Sequence, residues 1–118
     1  RRNGATTDYA AQFALKCLRY QKKNQENEKN ILLISYEDLC DHKEFSVQRI
    51  QEFVPEIGDL KSDLEFSAHN FKTKGKMKVQ NLNTEKINKL SSEDIKIINS
   101  YFKKEESLLK YFGYSIIN

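Results

Sequence analysis

An unbroken apolar run that leads straight into a polar tetrad is the feature that most constrains the fold of this 118-residue chain. Residues 31–34 read Ile-Leu-Leu-Ile, and after Ser35 the chain continues as Tyr-Glu-Asp-Leu at residues 36–39. Four large apolar residues without alternation are typical of a strand that is buried on both faces, as in a parallel sheet covered by helices. The polar tetrad would then lie at the carboxyl end of the strand, where open α/β sheets bind their ligands.

This predicted strand has no partner of comparable quality in the sequence. A parallel strand needs neighbours, and its apolar side chains stabilise a fold only where a sheet and helices cover them. The pattern therefore predicts an α/β protein that is mostly helical with one clear buried strand. We expect this chain to be one part of a larger domain, or another chain to complete its sheet. An all-α packing with one stray strand is the alternative.

Composition restricts the function classes without selecting one. Hydrophobic residues make up 38% of the chain and charged residues 31%, which is polar for a large independent core. The formal net charge of +3 permits an anionic ligand but does not require a nucleic acid. No apolar stretch is long enough for a membrane span, and no secretory signal opens the chain, so we expect a cytoplasmic location. Cys17 and Cys40 lack metal-ligand spacing and are interpreted as buried thiols in a reducing compartment.

Three helices are predicted with clear boundaries. The first covers residues 8–23, with its inner face formed by Tyr9, Phe13, Cys17 and Tyr20. Residues 41–44 have the form of a capping box that opens a second helix, which Pro55 ends. Residues 91–94 offer caps and first-turn acids for the last helix, and Gly113 lies where a glycine would end it.

Residues 59–83 show no convincing period, and such long connections in compact domains are usually functional or disordered. Within them the alternating lysines, Lys72, Lys74, Lys76 and Lys78, would place four ammonium groups on one side of an extended segment. Gly75 allows the backbone to come close to a ligand, so the segment is able to hold a phosphate without a P-loop. A solvated lysine-rich loop is the alternative. We interpret His69 as a structural histidine, because no second ligand lies near it at metal-binding spacing.

Tyr36 is the candidate for base contact. Its ring offers a flat surface for stacking and its hydroxyl a hydrogen bond, which together suit a nucleotide base. The alternative is a partly buried tyrosine at a strand end. Glu37 and Asp38 would point to opposite faces of an extended chain, so we interpret them as acceptors for backbone N–H groups and not as a catalytic pair.

Together these features resemble the C-terminal half of a bacterial-type sulfotransferase that uses 3′-phosphoadenosine 5′-phosphosulfate. Residues 31–39 are similar to the family's hydrophobic strand followed by Arg-Tyr-Glu-Asp-Leu, with Ser35 where Arg is common. Residues 67–76 are similar to the late loop that closes over the donor's 3′-phosphate, although Lys-Gly-Lys departs from the family's usual forms. The end of the chain, with Leu-Ser-Ser-Glu-Asp-Ile at residues 90–95 and Tyr-Phe-Gly-Tyr at residues 111–114, is similar to the closing helix of many members.

The resemblance implies a P-loop-like α/β fold with a central parallel sheet, in which residues 1–118 are the C-terminal segment of a single sulfotransferase domain. The phosphate loop and the catalytic base would lie upstream, so the segment alone would be inactive and would carry no catalytic residue and no metal ligand. The whole enzyme would move a sulfuryl group from the nucleotide co-substrate to a hydroxyl or amine of a small-molecule or glycan acceptor. Tyr36 would contact the adenine, and Lys74, Gly75 and Lys76 would cover the 3′-phosphate.

The resemblance implies two partners for this chain, the rest of the domain and the nucleotide donor. It implies no nucleic-acid partner. Two other interpretations stay open. The first is a non-enzymatic helical interaction module, which the strong terminal helix favours. The second is a basic nucleic-acid-binding domain, which the lysine segment favours and a steep salt dependence would reveal.

Overall fold

The computed structural model describes residues 4–60, 65–67 and 76–118. Its α-helices are α1 (Thr7–Asn27), α2 (Tyr36–Asp41), α3 (Lys43–Phe53), α4 (Asn83–Asn88), α5 (Ser92–Phe102) and α6 (Glu106–Tyr111). Short 3-10 turns follow α3 at Pro55–Ile57 and α5 at Lys103–Glu105. The strands β1 (Glu65–Ser67) and β2 (Lys76–Lys78) form an antiparallel pair in which Glu65 lies opposite Lys78.

The described chain divides into two compact units. The first combines Arg1–Ile31 with Glu85–Asn118, and the second is Leu32–Thr84. No helix in the described part of the chain combines the length and the apolar character that a membrane crossing requires.

The predicted fold class, an α/β protein with one buried strand of a parallel sheet, is wrong. Residues 31–34 adopt no regular secondary structure, and the only ladder among the described residues is the short antiparallel pair of β1 and β2. None of these four side chains is fully buried, and Ile31 is exposed. An apolar run becomes a strand only when a neighbour accepts and donates its backbone hydrogen bonds, and the run itself does not supply that neighbour.

The core of the first unit lies where α1 meets the C-terminal helices. Leu15 packs with Leu108 and Leu109, and all three are buried. Around this cluster lie the partly buried side chains of Leu18, Tyr101, Phe102, Phe112 and Ile116. Full burial of a leucine side chain contributes about 1.5–3 kcal/mol, so these three leucines supply much of the stability of a small unit.

The inward face of α1 is opposite to the predicted one. The buried residues of α1 are Thr7, Ala11 and Leu15. The predicted inner residues Tyr9 and Phe13 are 60% and 53% exposed, Tyr20 is likewise exposed, and Cys17 is half-buried. Helix α1 carries apolar residues on two opposite sides, and the side with the smaller aliphatic residues is the one that packs.

Polar contacts fix this orientation of α1 along its length. The Thr7 hydroxyl donates to Asp94 near the start of α5. Farther along, the Tyr101 hydroxyl donates to Asp8 Oδ1 at 2.9 Å and accepts from the Gln12 amide at 3.1 Å. The guanidinium of Arg19 pairs with Glu105, with Nε at 2.9 Å from Oε1. Because each of these contacts joins residues more than 80 positions apart, they hold distant parts of the sequence together.

The predicted limits of the C-terminal helical region are confirmed. Ser91 and Asp94 form a capping box at the start of α5. At the far end, Gly113 has a φ of 78°, and the N–H of Tyr114 reaches the carbonyl of Leu109 at 2.9 Å. This is the hydrogen bond of a Schellman motif, which favours glycine at the left-handed position. Between these ends the region is interrupted by the 3-10 turn at Lys103–Glu105.

The second unit contains α2 and α3. The capping box predicted at residues 41–44 does not form, because Asp41 is the last residue of α2 and His42 precedes α3 without a side-chain cap. Pro55 follows the end of α3 and opens the 3-10 turn, as a proline at a first helical position does. Cys40 and Ser46 are the buried residues of this unit among its described residues.

Substitutions on the two sides of α1 test which side is inward. Leu15→Ala should lower the free energy of unfolding by about 2–5 kcal/mol, because it removes a buried side chain and leaves a cavity. Phe13→Ala, the matched change on the exposed side, should cost less than about 1 kcal/mol. Urea denaturation followed by circular dichroism measures both. A larger loss for Phe13→Ala than for Leu15→Ala would contradict the packing described here.

A second prediction concerns an ion pair on α4. Lys89 Nζ donates to Glu85 Oε1 at 2.6 Å, and this hydrogen bond and the ammonium charge lower the pKa of the Glu85 carboxyl. A lowered folded-state pKa means that the interaction supports α4 above the ordinary glutamate pKa, and that the support disappears as the pH falls through the lowered value. Lys89→Ala should raise the pKa of Glu85 towards its ordinary value in a carboxyl NMR titration. Lys86→Ala, which removes only a weaker charge effect, should raise this pKa less.

Candidate functional site

Tyr36 lies at the start of a helix and not at the end of a strand. Ser35 has an extended backbone, and its Oγ accepts the N–H of Asp38 at 3.0 Å, so it caps α2. A serine at this position satisfies one of the free N–H groups of the first turn. Tyr36 is therefore the first helical residue, and the sequence 36–39 is helical throughout.

The hydroxyl of Tyr36 is fixed at both of its hydrogen-bonding functions. It donates to the carbonyl oxygen of Gln80 at 3.1 Å and accepts the N–H of Leu82 at 3.3 Å. Tyr36 as a whole is 43% exposed. An aromatic residue that is held at its hydroxyl and partly exposed is suited to contact with a flat ligand.

Two side-chain amides complete the attachment of residues 80–83 to α2. Asn81 Nδ2 donates to Asp41 Oδ2 at 2.8 Å, and Asn83 Nδ2 donates to Glu37 Oε1 at 2.7 Å. Asn81 Oδ1 also accepts the N–H of Asn83 at 2.9 Å, which is the local turn that asparagine favours. We call residues 80–83 with their partners Tyr36, Glu37 and Asp41 the α2 clasp.

The α2 clasp is the part of the site that the sequence did not indicate. Residues 81 and 83 form an Asn-Leu-Asn pattern, and this local turn signal was the one available hint. Their partners on α2 lie 40 to 46 positions earlier, and no spacing rule links positions so far apart. Glu37 is predicted to accept backbone N–H groups, and in the structure its carboxylate accepts the side-chain amide of Asn83.

The predicted phosphate segment is described only in part. Lys74 and Gly75 lie outside the described residues, as does His69, and Lys76 begins β2, where its backbone lies opposite Ser67. Lys76 precedes Gln80 by four residues, a span of at most roughly 14 Å in an extended chain, and Lys74 by six, roughly 22 Å. Because the carbonyl of Gln80 is hydrogen-bonded to the Tyr36 hydroxyl, the length of chain between Lys76 and Gln80 limits how far Lys76 can be from the tyrosine.

The remaining titratable residues of α2 form no further site. His42 Nδ1 lies 3.2 Å from Asp38 Oδ1, one helical turn away. Within the described ranges, no three histidine, cysteine or acidic side chains are grouped closely enough to hold a metal ion. The chemistry that this region offers is therefore that of an aromatic surface beside hydrogen-bonded carboxylates, with a basic segment a few residues away in sequence.

Comparison with known proteins gives no match: no family model fits the chain, and neither a curated protein nor a solved structure resembles it significantly.

The hydrogen bonds of the α2 clasp predict that removal of the Tyr36 hydroxyl destabilises residues 80–83 measurably. Tyr36→Phe removes the acceptor of the Leu82 N–H and the donor to Gln80, and should cost about 0.5–1.5 kcal/mol of local stability. Hydrogen exchange of the Leu82 amide should accelerate by up to about tenfold, since a cost near 1.4 kcal/mol is a factor of ten in an opening equilibrium. Tyr20→Phe, which removes an exposed hydroxyl from α1, is the control. Equal exchange at Leu82 in both variants would show that the clasp does not hold residues 80–83.

Proposed function

We propose that this chain supplies the donor-nucleotide contacts of a cytoplasmic sulfotransferase that uses 3′-phosphoadenosine 5′-phosphosulfate. The whole enzyme would transfer the sulfuryl group to a hydroxyl or amine acceptor. The proposal rests on the order of motifs in the sequence and on one structural observation, the fixed and accessible ring of Tyr36. It does not require a parallel sheet within this chain, because the proposed contacts come from α2 and from the basic segment.

In this proposal Tyr36 stacks on the adenine. Its two hydrogen bonds to residues 80–82 restrict the ring before a ligand arrives, so stacking costs little additional side-chain entropy. Stacking of a base on an aromatic side chain contributes about 1–3 kcal/mol. The acidic groups beside it, Glu37 and Asp41, are engaged with the amides of Asn83 and Asn81.

The basic segment is proposed to bind the 3′-phosphate. Lys74 and Lys76 flank Gly75, and charge-assisted hydrogen bonds from ammonium groups to a phosphate are roughly twice as strong as neutral ones. The short covalent connection from Lys76 to Gln80 supports a shared ligand, because it keeps the segment within a few residues of the α2 clasp. No group in this chain is proposed as the catalytic base or as a metal ligand, and the chain alone is proposed to be inactive.

Calorimetry with two nucleotides tests both contacts. Tyr36→Ala should weaken the binding of adenosine 3′,5′-bisphosphate by about 1–3 kcal/mol, because the stacking surface is lost. Tyr36→Phe is the matched control: it keeps the ring and should lose much less. Equal affinities of the wild-type and Tyr36→Ala chains, with the helical circular dichroism unchanged, would contradict the adenine contact.

The 3′-phosphate contact is tested by the ratio between two ligands. Lys74→Ala combined with Lys76→Ala should weaken adenosine 3′,5′-bisphosphate far more than adenosine 5′-phosphate, since each well-placed charged hydrogen bond contributes roughly 1.5–3 kcal/mol. The pair Lys96→Ala and Lys110→Ala removes the same charge from α5 and α6 and should change neither affinity. A loss of equal size for both nucleotides, or for neither, would identify the segment as a solvated lysine-rich loop. Binding of single-stranded oligonucleotides with a steep salt dependence would instead favour the nucleic-acid-binding alternative.

A further inference from the structure

Helix α1 presents a second apolar face that nothing covers among the described residues. Tyr9, Phe13, Lys16, Tyr20 and Lys23 follow one another at spacings of four, three, four and three, and all five are exposed. At 3.6 residues per turn they fall within an arc of about 80°, on the side of α1 opposite Ala11 and Leu15. We call these five residues the outer α1 stripe.

The spacing of the outer α1 stripe is that of a helix–helix contact. Alternating steps of three and four residues keep side chains on the seam along which one helix packs on another. The rings of Tyr9 and Phe13 are stacked, with centroids 6.0 Å apart, and present one continuous aromatic surface. From Tyr9 to Lys23 the stripe covers fourteen steps of α1, or about 21 Å.

A groove runs beside the stripe, between α1 and the end of α5. Its volume is about 420 Å³. Phe13, Leu15 and Tyr101 line it, together with the cations of Lys16 and Lys104 and the Arg19–Glu105 ion pair. Grooves with apolar walls and charged edges are the surfaces on which amphipathic helices dock.

The charges of this surface indicate which charge a binding partner should carry. Lys16 and Lys23 make no ion pair within the described structure, whereas Arg19 is already paired with Glu105. Lys104 lies over the ring of Tyr101, with its Nζ 5.9 Å from the centroid. The stripe and the groove therefore present unpaired positive charge next to aromatic rings, and carboxylates on a partner would complement it.

A second copy of this chain fits the stripe poorly. In an antiparallel pair centred on the stripe, Lys16 would lie opposite Lys16 of the other copy. In a parallel pair both Lys16 and Lys23 would oppose their own counterparts. Like charges directly opposite each other destabilise a helix seam, so the surface disfavours self-association.

We propose that the outer α1 stripe and its groove dock an acidic amphipathic helix of another protein. Apolar side chains of that helix pack against Tyr9, Phe13 and Tyr20, and its carboxylates pair with Lys16 and Lys23. The stripe and the groove belong to the first unit, whereas the nucleotide contacts proposed for α2 belong to the second.

A pair of synthetic peptides serves as the probe. Each is an 18-residue stapled helix with leucines on the face that meets the rings; one carries glutamates opposite Lys16 and Lys23, and the other carries lysines there. Fluorescence anisotropy with the 118-residue chain should show the acidic peptide binding at least about tenfold more tightly than the basic one, because the charges are complementary. Raising the salt concentration should reduce this preference.

Variants of the chain locate the site. Lys16→Glu should abolish or invert the preference for the acidic peptide, and Phe13→Ala should weaken both peptides by about tenfold or more, as truncation of an aromatic anchor does. Lys96→Glu changes the net charge equally on the exposed surface of α5 and should leave binding unchanged. Circular dichroism confirms that each variant keeps its helices.

Several results would overturn the proposal. The proposal is wrong if neither peptide binds, if both bind equally, or if Lys16→Glu and Lys96→Glu have equal effects. It is also wrong if a single-stranded oligonucleotide at equal concentration displaces the peptide. A chain dimer in sedimentation that Phe13→Ala converts to a monomer would show that a second copy occupies the surface instead. Loss of nucleotide binding in the Tyr36 variants leaves this prediction unaffected.

Discussion

The packing of Leu15 against Leu108 and Leu109 is the interaction on which the first unit depends. It joins the beginning of the chain to its end, and loop-closure entropy across some 90 residues opposes such a contact. Three buried leucines would be a small core by themselves, but the hydrogen bonds of Thr7, Tyr101 and Arg19 also join α1 to α5 and to the 3-10 turn that follows it. Once this side of α1 is inward, the aromatic side must face outward, and the exposed stripe is a direct consequence of the core.

Among the described residues of the second unit, polar contacts are more prominent than buried apolar side chains. Cys40 and Ser46 are its buried residues in the described part of the chain, and neither has a large hydrophobic side chain. The α2 clasp compensates with hydrogen bonds to two carboxylates and one hydroxyl, which are stronger when the acceptor is charged. Each such contact contributes only a modest net stability, but together they specify how residues 80–83 lie against α2.

Local signals in the sequence predicted the ends of the C-terminal helical region but failed at residues 41–44, and no signal indicated the long-range contacts. Ser91, Asp94 and Gly113 marked the ends of the C-terminal helical region because a cap depends on residues within four positions of it. The face of α1 was wrong for a different reason: the helix has two apolar stripes, and hydrophobic periodicity alone does not say which of them meets the rest of the chain. The large aromatic side chains of Tyr9 and Phe13 favour their side of α1 as the inward one. In the structure the opposite side is inward, because Leu15 packs against Leu108 and Leu109.

The apolar run at residues 31–34 shows the same limit for strands. Its composition is that of a buried strand, yet strand formation is a property of a pair, and the described residues offer it no ladder partner. Tyr36 remains a candidate for ligand contact without that strand. Ser35 ends the apolar run and caps α2 independently of any sheet. Local capping thus places Tyr36 at the start of α2, and hydrogen bonds with the distant residues 80–82 hold its hydroxyl. A tyrosine constrained by both has lost most of its side-chain freedom before binding. A ring that is restricted in this way loses less side-chain entropy on binding a ligand than a ring without such hydrogen bonds.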